Sequence, residues 1–224
     1  MRFQDAARDA RAVVYAGVQA DPSVATAAEL LVVASLAERV LARAVMTGET
    51  LDPDGWRAMF PSLFGADVSD DDRARSDAIL AAALAIADRG DEVRNQSRGA
   101  VVEALTERLL ARRVAASSIR RERRILFDGV AAEIHPYDVT VERPGATEAF
   151  DCKWGARGIN ADVLHQLDDA RTHASEEDER LAVALVVFDA RRSCDVRLGR
   201  QTAPREGTEL VSLETLDSLA APRP

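Results

Sequence analysis

The segment Val183-Ala184-Leu185-Val186-Val187-Phe188 is apolar at every position, with no alternation. A strand with one wet face alternates with period two, so an unbroken run reads as a strand covered on both faces. Such a strand needs a layer on each side of its sheet, and the neighbouring segments supply candidates. A helix is expected from about Ile159 to His173, a short strand at Thr208 to Val211, and a last helix from Leu213 to Leu219. Upstream, a helix from about Arg98 to Val114 presents Val101, Val102, Leu105, Leu109 and Leu110 on a wide apolar face. Strands are expected at Arg124 to Phe127, Tyr137 to Glu142 and Glu148 to Trp154. Helix, three strands, helix, strand is a mixed α/β plan: an antiparallel meander, a crossover helix and a parallel pairing.

Residues 1–95 read as helical throughout. Thr26 with Glu29 has the form of a capping box, and Leu30, Val33, Ala37, Val40, Leu41 and Ala44 recur at helical spacing up to Gly48. Asp52-Pro53-Asp54-Gly55 interrupts, a short turn carries Trp56, Met59 and Phe60, and Ser69 followed by three aspartates opens another helix. This half carries no chemistry of its own. It is expected to serve packing, oligomerisation or recognition, with a protein partner as one candidate ligand, and the chain is expected to divide into 1–95 and 96–224.

Composition mostly excludes. With 47% hydrophobic and 30% charged residues the chain is not disordered. Two cysteines, Cys152 and Cys194, cannot frame a disulfide scaffold and have no zinc spacing. The opening residues turn acidic at Asp5, unlike a signal peptide, and the apolar run Ala78 to Ala87 falls short of the roughly 20 residues of a membrane span. A cytoplasmic protein with no membrane partner is expected. Of 29 basic residues, 28 are arginine; Lys153 is the only lysine. Its ammonium is a compact charge whose pKa can be tuned, whereas guanidinium is planar and permanently protonated.

Asp151 and Lys153 are two apart in a strand and project to one face, while Cys152 faces away. A hairpin turning about Pro144-Gly145 pairs residues whose numbers sum to 289, which sets Asp138 opposite Asp151. Two carboxylates about 4 Å apart repel by roughly 1 to 4 kcal/mol across effective dielectrics of 80 to 20. A hard divalent cation such as Mg²⁺ reverses that sign. Lys153 beside it would stabilise a charged phosphate, or assist proton transfer if its pKa were tuned. The bland alternative is an Asp–Lys pair with a solvated Asp138.

Pro136 two residues before Asp138, followed by Asp151-Cys152-Lys153 after a short hairpin, resembles the PD-(D/E)XK nuclease superfamily over roughly residues 96–215. The likeness is to its Holliday-junction-resolvase and Mrr-like branches. It implies a restriction-endonuclease-like αβββαβ core with a mixed sheet, preceded here by the helical region. It also implies Mg²⁺, or Mn²⁺ in its place, held by Asp138 and Asp151 with Glu103 completing the acidic site; the backbone carbonyl of Cys152 is a further candidate ligand. Glu103, in Gly99-Ala100-Val101-Val102-Glu103, is similar to the acidic residue of the preceding helix, and Gln166 to a glutamine on the helix after the lysine strand. Tyr137 separates Pro136 from Asp138, a departure from the strict motif. Glu107, Asp128 and Glu133 are alternative acids, and His135 and His165 flank the site as supporting or surface residues.

Between Arg112 and Arg124 lie Arg112, Arg113, Arg120, Arg121, Arg123 and Arg124 against one acid, Glu122. Set against a chain net of −9, this stretch is the expected contact for phosphates of duplex or branched DNA. The resemblance implies a DNA endonuclease of restriction, phage defence, repair or recombination. Many relatives act as dimers, so a homodimer is one expectation. The rival readings are a catalytically inactive protein of this fold that binds nucleic acid or assembles, and a purely structural protein whose Asp-x-Lys is accidental.

Overall fold

The computed structural model describes residues 1–6, 10–128, 130–131, 135–203 and 207–222, with the main chain alone at 11, 130 and 131. The chain forms two units, one of Ala10–Arg108 and one of Met1–Asp9 with Leu109–Pro224. The division therefore falls near the end of a helix that runs on to Leu110, not at the expected 95/96.

The helical unit comprises α1 (Ala10–Gln19), α2 (Pro22–Val32), α3 (Leu36–Thr47), α4 (Pro53–Met59), α5 (Pro61–Phe64), α6 (Asp70–Ala87) and α7 (Asp91–Leu110). The single helix expected from Thr26 to Gly48 is two. Asp21 caps α2 by accepting from the Ser23 amide at 2.8 Å, with Pro22 at the first turn, a stronger start than Thr26, whose hydroxyl bonds back to Pro22 inside the helix. The chain then breaks at Ser35. There Ser35 and Glu38 make a reciprocal capping box, with bonds of 2.7 and 3.3 Å. Glu38 is fully buried and takes further hydrogen bonds from Arg75 at 2.8 Å and Ser76 at 3.1 Å. Ser69 caps α6 as the sequence leads one to expect.

The sheet unit contains β1 (Arg2–Asp5), β2 (Ile119–Phe127), β3 (Val130–Ala131), β4 (Tyr137–Val141), β5 (Thr147–Lys153), α8 (Ala161–Glu176), β6 (Leu181–Val187), α9 (Arg191–Leu198) and β7 (Thr208–Val211). The strands are ordered β1-β2-β4-β5-β6-β7, with β3 paired to β2. Pairing is antiparallel from β1 to β5 and parallel from β5 to β7, a mixed α/β sheet. Three expectations are corrected. Residues 2–5 form an edge strand along β2 rather than helix. Arg120, Arg121 and Arg123 lie within β2, which starts at Ile119 and not at Arg124, rather than in a connection before it. Leu213–Ala220 is a 3₁₀ helix.

The apolar run behaves as its composition demands. Val183 to Phe188 are all buried, and each such side chain contributes about 1.5–3 kcal/mol relative to exposure for the larger ones. Helix α8 packs Val163, Leu164, Leu167, Ala170 and Ala174 into one cluster with Ala149, Val183, Leu185 and Val187. At the hairpin, Gly145 sits at φ +71° and the Ala146 amide bonds to the Arg143 carbonyl at 3.2 Å, a type II arrangement. The resulting register, Val139↔Phe150, Thr140↔Ala149 and Val141↔Glu148, is the one that sums to 289. No helix among the described residues is long and apolar enough to cross a membrane.

Candidate functional site

Strands β4 and β5 pair only from Val141↔Glu148 to Val139↔Phe150. Asp138 and Asp151 occupy the next rung, where the ladder ends. There the Asp138 carboxylate takes over as acceptor: its Oδ2 receives the Cys152 amide at 2.5 Å. One residue on, the Lys153 ammonium donates to Asp151 Oδ1, so the two side chains share a face. Asp151 is buried, Lys153 is partly so, and Cys152 is buried as a core residue should be.

Burial of the Lys153 ammonium pulls its pKa down, but Asp151 and Asp138 outweigh that and leave it raised. Lys153 therefore stays protonated at neutral pH and acts as a fixed cation, not as a base. Its aliphatic stem is enclosed by the 3₁₀ turn Ala156–Gly158: a Cβ added at Gly158 would lie 3.0 Å from Cβ, Cγ and Cδ of Lys153. That turn is held in turn by Asp189, a buried carboxylate at the end of β6 that accepts from the Ala156 amide at 3.0 Å. Phe188 continues the parallel pairing by donating to the Lys153 carbonyl at 2.9 Å, and its ring stacks on Trp154 with centroids 5.1 Å apart.

Glu122 is the residue the sequence reading passed over. It lies in β2 between the pairs Arg121↔Val139 and Arg123↔Tyr137, on the rung of Asp138, with a left-handed φ of 51°. A non-glycine residue in that region inside a strand costs of order 1–3 kcal/mol, which the surrounding sheet must over-determine. Its carboxylate approaches within 4.8 Å of that of Asp138. Two oxygens about 2.1 Å from one Mg²⁺ lie at most about 4.2 Å apart, so a small side-chain adjustment lets the pair share an ion, and carboxylate oxygens suit a hard cation. Without a cation the pair repels by about 1 to 3 kcal/mol across effective dielectrics of 80 to 20. Glu122→Asn, which tolerates the left-handed backbone, is therefore expected to raise the melting temperature in EDTA. If the pair holds a cation, adding Mg²⁺ should stabilise the wild type more than this variant; equal shifts would remove Glu122 from the candidate site.

The other candidates divide by their surroundings. Gln166 is buried, and its amide clamps the main chain of His135, donating to the carbonyl at 2.9 Å and accepting from the amide at 3.3 Å. The Tyr137 hydroxyl donates to the Gln166 carbonyl at 3.3 Å. Gln166 thus positions the chain that enters Asp138 and is not a helix-surface amide. His135 and His165 are exposed, as is Asp128; Glu133 lies outside the described residues. Glu103 belongs to the helical unit. It is buried on α7 and accepts from the Tyr15 hydroxyl and from Gln19 Nε2 at 2.7 Å, and Gly99, one turn earlier, leaves room for the Tyr15 hydroxyl. Glu107 is partly exposed on the same helix.

The six-arginine patch does not survive as one surface. Arg113 is buried in a bidentate pair with Glu148, at 2.8 and 2.6 Å, and also donates to the Leu219 carbonyl at 2.7 Å. Arg123 is neutralised by Glu142 at 2.8 Å and by Asp5 of β1. Both are spent within the fold, and neither is available to a phosphate. The remaining arginines of β2 alternate between the faces of the strand, and Arg112 and Arg120 are exposed. Both cysteines are free and buried; burial raises the Cys194 thiol to about 11.

No protein-family model matches the chain, and no curated protein matches it. Among solved structures, the crystal structure of protein VC1899 from Vibrio cholerae is similar at 18% identity and a TM-score of 0.44, over 89% of this chain and 55% of that one. The chain thus spans about half the length of that protein, and at this TM-score the likeness carries no argument about fold or function.

Proposed function

We propose that the protein is a metal-dependent nuclease that hydrolyses phosphodiester bonds in duplex or branched DNA, with a restriction-endonuclease-like core of helix, three strands, helix and strand. One observation carries this reading: Asp138, Asp151 and Lys153 converge where β4 and β5 part, with the Asp138 carboxylate bound to the Cys152 amide and Lys153 bound to Asp151.

Bound Mg²⁺, or Mn²⁺ in its place, would supply Lewis-acid stabilisation of the phosphate. Asp138 and Asp151 would hold it, joined by Glu122 and the Cys152 carbonyl. Glu103 is retained as a further acidic residue on the strength of the sequence resemblance. Lys153, protonated and fixed against Gly158, would neutralise charge that develops on the phosphate. Gln166 acts through the main chain of His135 and is a positioning residue.

The test is cleavage of linear, branched and single-stranded DNA in Mg²⁺ or Mn²⁺. The expected result is metal-dependent scission, abolished by EDTA and by Asp151→Asn, with the variant still folded. A wild-type protein that binds DNA and cuts none of these substrates in either metal would instead be a nucleic-acid-binding module of this fold.

A further inference from the structure

Just beyond Lys153, a cleft of about 420 Å³ lies between the Ala156–Gly158 turn and α9. Arg157, Arg192, Arg197 and Arg200 line it, and no carboxylate does. The larger cleft of the sheet unit, about 580 Å³ at the hairpin end of β5 and β6, differs in kind. There Arg143, Arg171 and Arg180 are matched by Glu148, Asp178 and Glu179, so the lining neutralises itself.

The four arginines do two jobs. Arg197 donates through Nε to the Ile159 carbonyl at 2.8 Å and so fastens α9 to the segment after the turn. Arg157, Arg192 and Arg200 are exposed, and their guanidiniums make no hydrogen bond or ion pair among the described residues. By contrast Arg191, on the same helix, is paired with Asp195 at 2.9 Å and lies outside the cleft lining. Arg192 stands in the first turn of α9, Arg200 follows its C-cap Gly199, and Arg157 lies in the 3₁₀ turn that lines the same cleft, so the charges span the length of an eight-residue helix, about 12 Å at 1.5 Å per residue. Three unpaired guanidiniums spread over such a length fit a chain of phosphates better than one compact anion.

We propose that this cleft binds the phosphate backbone of duplex DNA, and that it, not the β2 arginines, positions the strand beside Lys153. The proposal rests on the nuclease reading for its orientation, because Gly158 packs on the Lys153 stem and so ties the cleft to the candidate catalytic lysine. Its binding claim stands on the unpaired arginines alone.

The test is fluorescence anisotropy of a labelled 30-bp duplex in EDTA, across a salt series, for wild type, Arg157→Ala/Arg192→Ala/Arg200→Ala, and Arg191→Ala. Each lost phosphate contact should reduce the log–log salt slope by about 0.9, equivalent to about an eightfold loss of affinity at 0.1 M salt relative to 1 M. The triple variant is expected to lose a slope of about 2 to 3 and more than 50-fold in affinity, with Arg191→Ala close to wild type and all melting temperatures alike. An unchanged slope in the triple variant overturns the cleft, as does equal loss in Arg191→Ala. Neither result touches the nuclease reading, which fails separately if the wild type cuts nothing when metal is added.

Discussion

Lys153→Ala is expected to lower single-turnover DNA cleavage by about 10² to 10³-fold, the usual loss when one preorganised electrostatic group is removed from a reacting centre. DNA affinity in EDTA should change little, because Lys153 is partly buried and already bonded to Asp151. Lys153→Arg separates charge from shape. It keeps the positive charge but must fit a planar fork where Gly158 closes on the stem, with Asp151 as its partner. Turnover is expected to stay depressed nearly as far as in the alanine variant, while the melting temperature remains close to wild type. Full activity in Lys153→Arg would mean that charge alone suffices and that the enclosing turn is incidental. Full activity in Lys153→Ala would remove the lysine from the chemistry.

Arg113→Ala should be the most damaging substitution in the sheet unit for stability. It strips the bidentate guanidinium from Glu148, a buried carboxylate whose contact to Arg143 is longer, at 3.4 Å. Breaking one side of such a buried pair costs about 3–5 kcal/mol, a large share of a net stability of about 5–15 kcal/mol. Replacing both partners, as Arg113→Met with Glu148→Leu, removes the two buried charges together and is expected to be near neutral or stabilising. Urea unfolding measures both, with midpoints shifting at constant slope. If the single and double variants lose the same stability, the pair is not coupled and Arg113 contributes by packing alone.

These variants also mark where the sequence is legible. The unbroken apolar run, the Pro144-Gly145 turn and the alternation around Asp151 are local signals, and each translates directly into strand, register and face. The arginine run is not local in that sense. Glu148 is 35 residues from Arg113, and Asp5 is 118 residues from Arg123, so composition around residues 112–124 shows six free cations where the fold has already neutralised two. Glu122 was hidden for a related reason. Its place opposite Asp138 depends on β2 starting at Ile119, and the arginines that obscure that start have little strand propensity. Helix α9 escaped notice because only Cys194 of its eight residues is buried, which leaves no apolar stripe to read. Yet its Arg192, with Arg157 and Arg200 on either side of the helix in sequence, is what the cleft offers a ligand.

In the proposed nuclease, the carboxylates at the parting of β4 and β5 hold a divalent cation beside Lys153. Anomalous diffraction from crystals soaked in Mn²⁺ measures it most directly. A peak is expected within about 2.0–2.4 Å of Asp138 and Asp151 oxygens, lost in Asp138→Asn. Well-diffracting soaked crystals with no manganese at these residues, or with manganese bound only elsewhere, would contradict it.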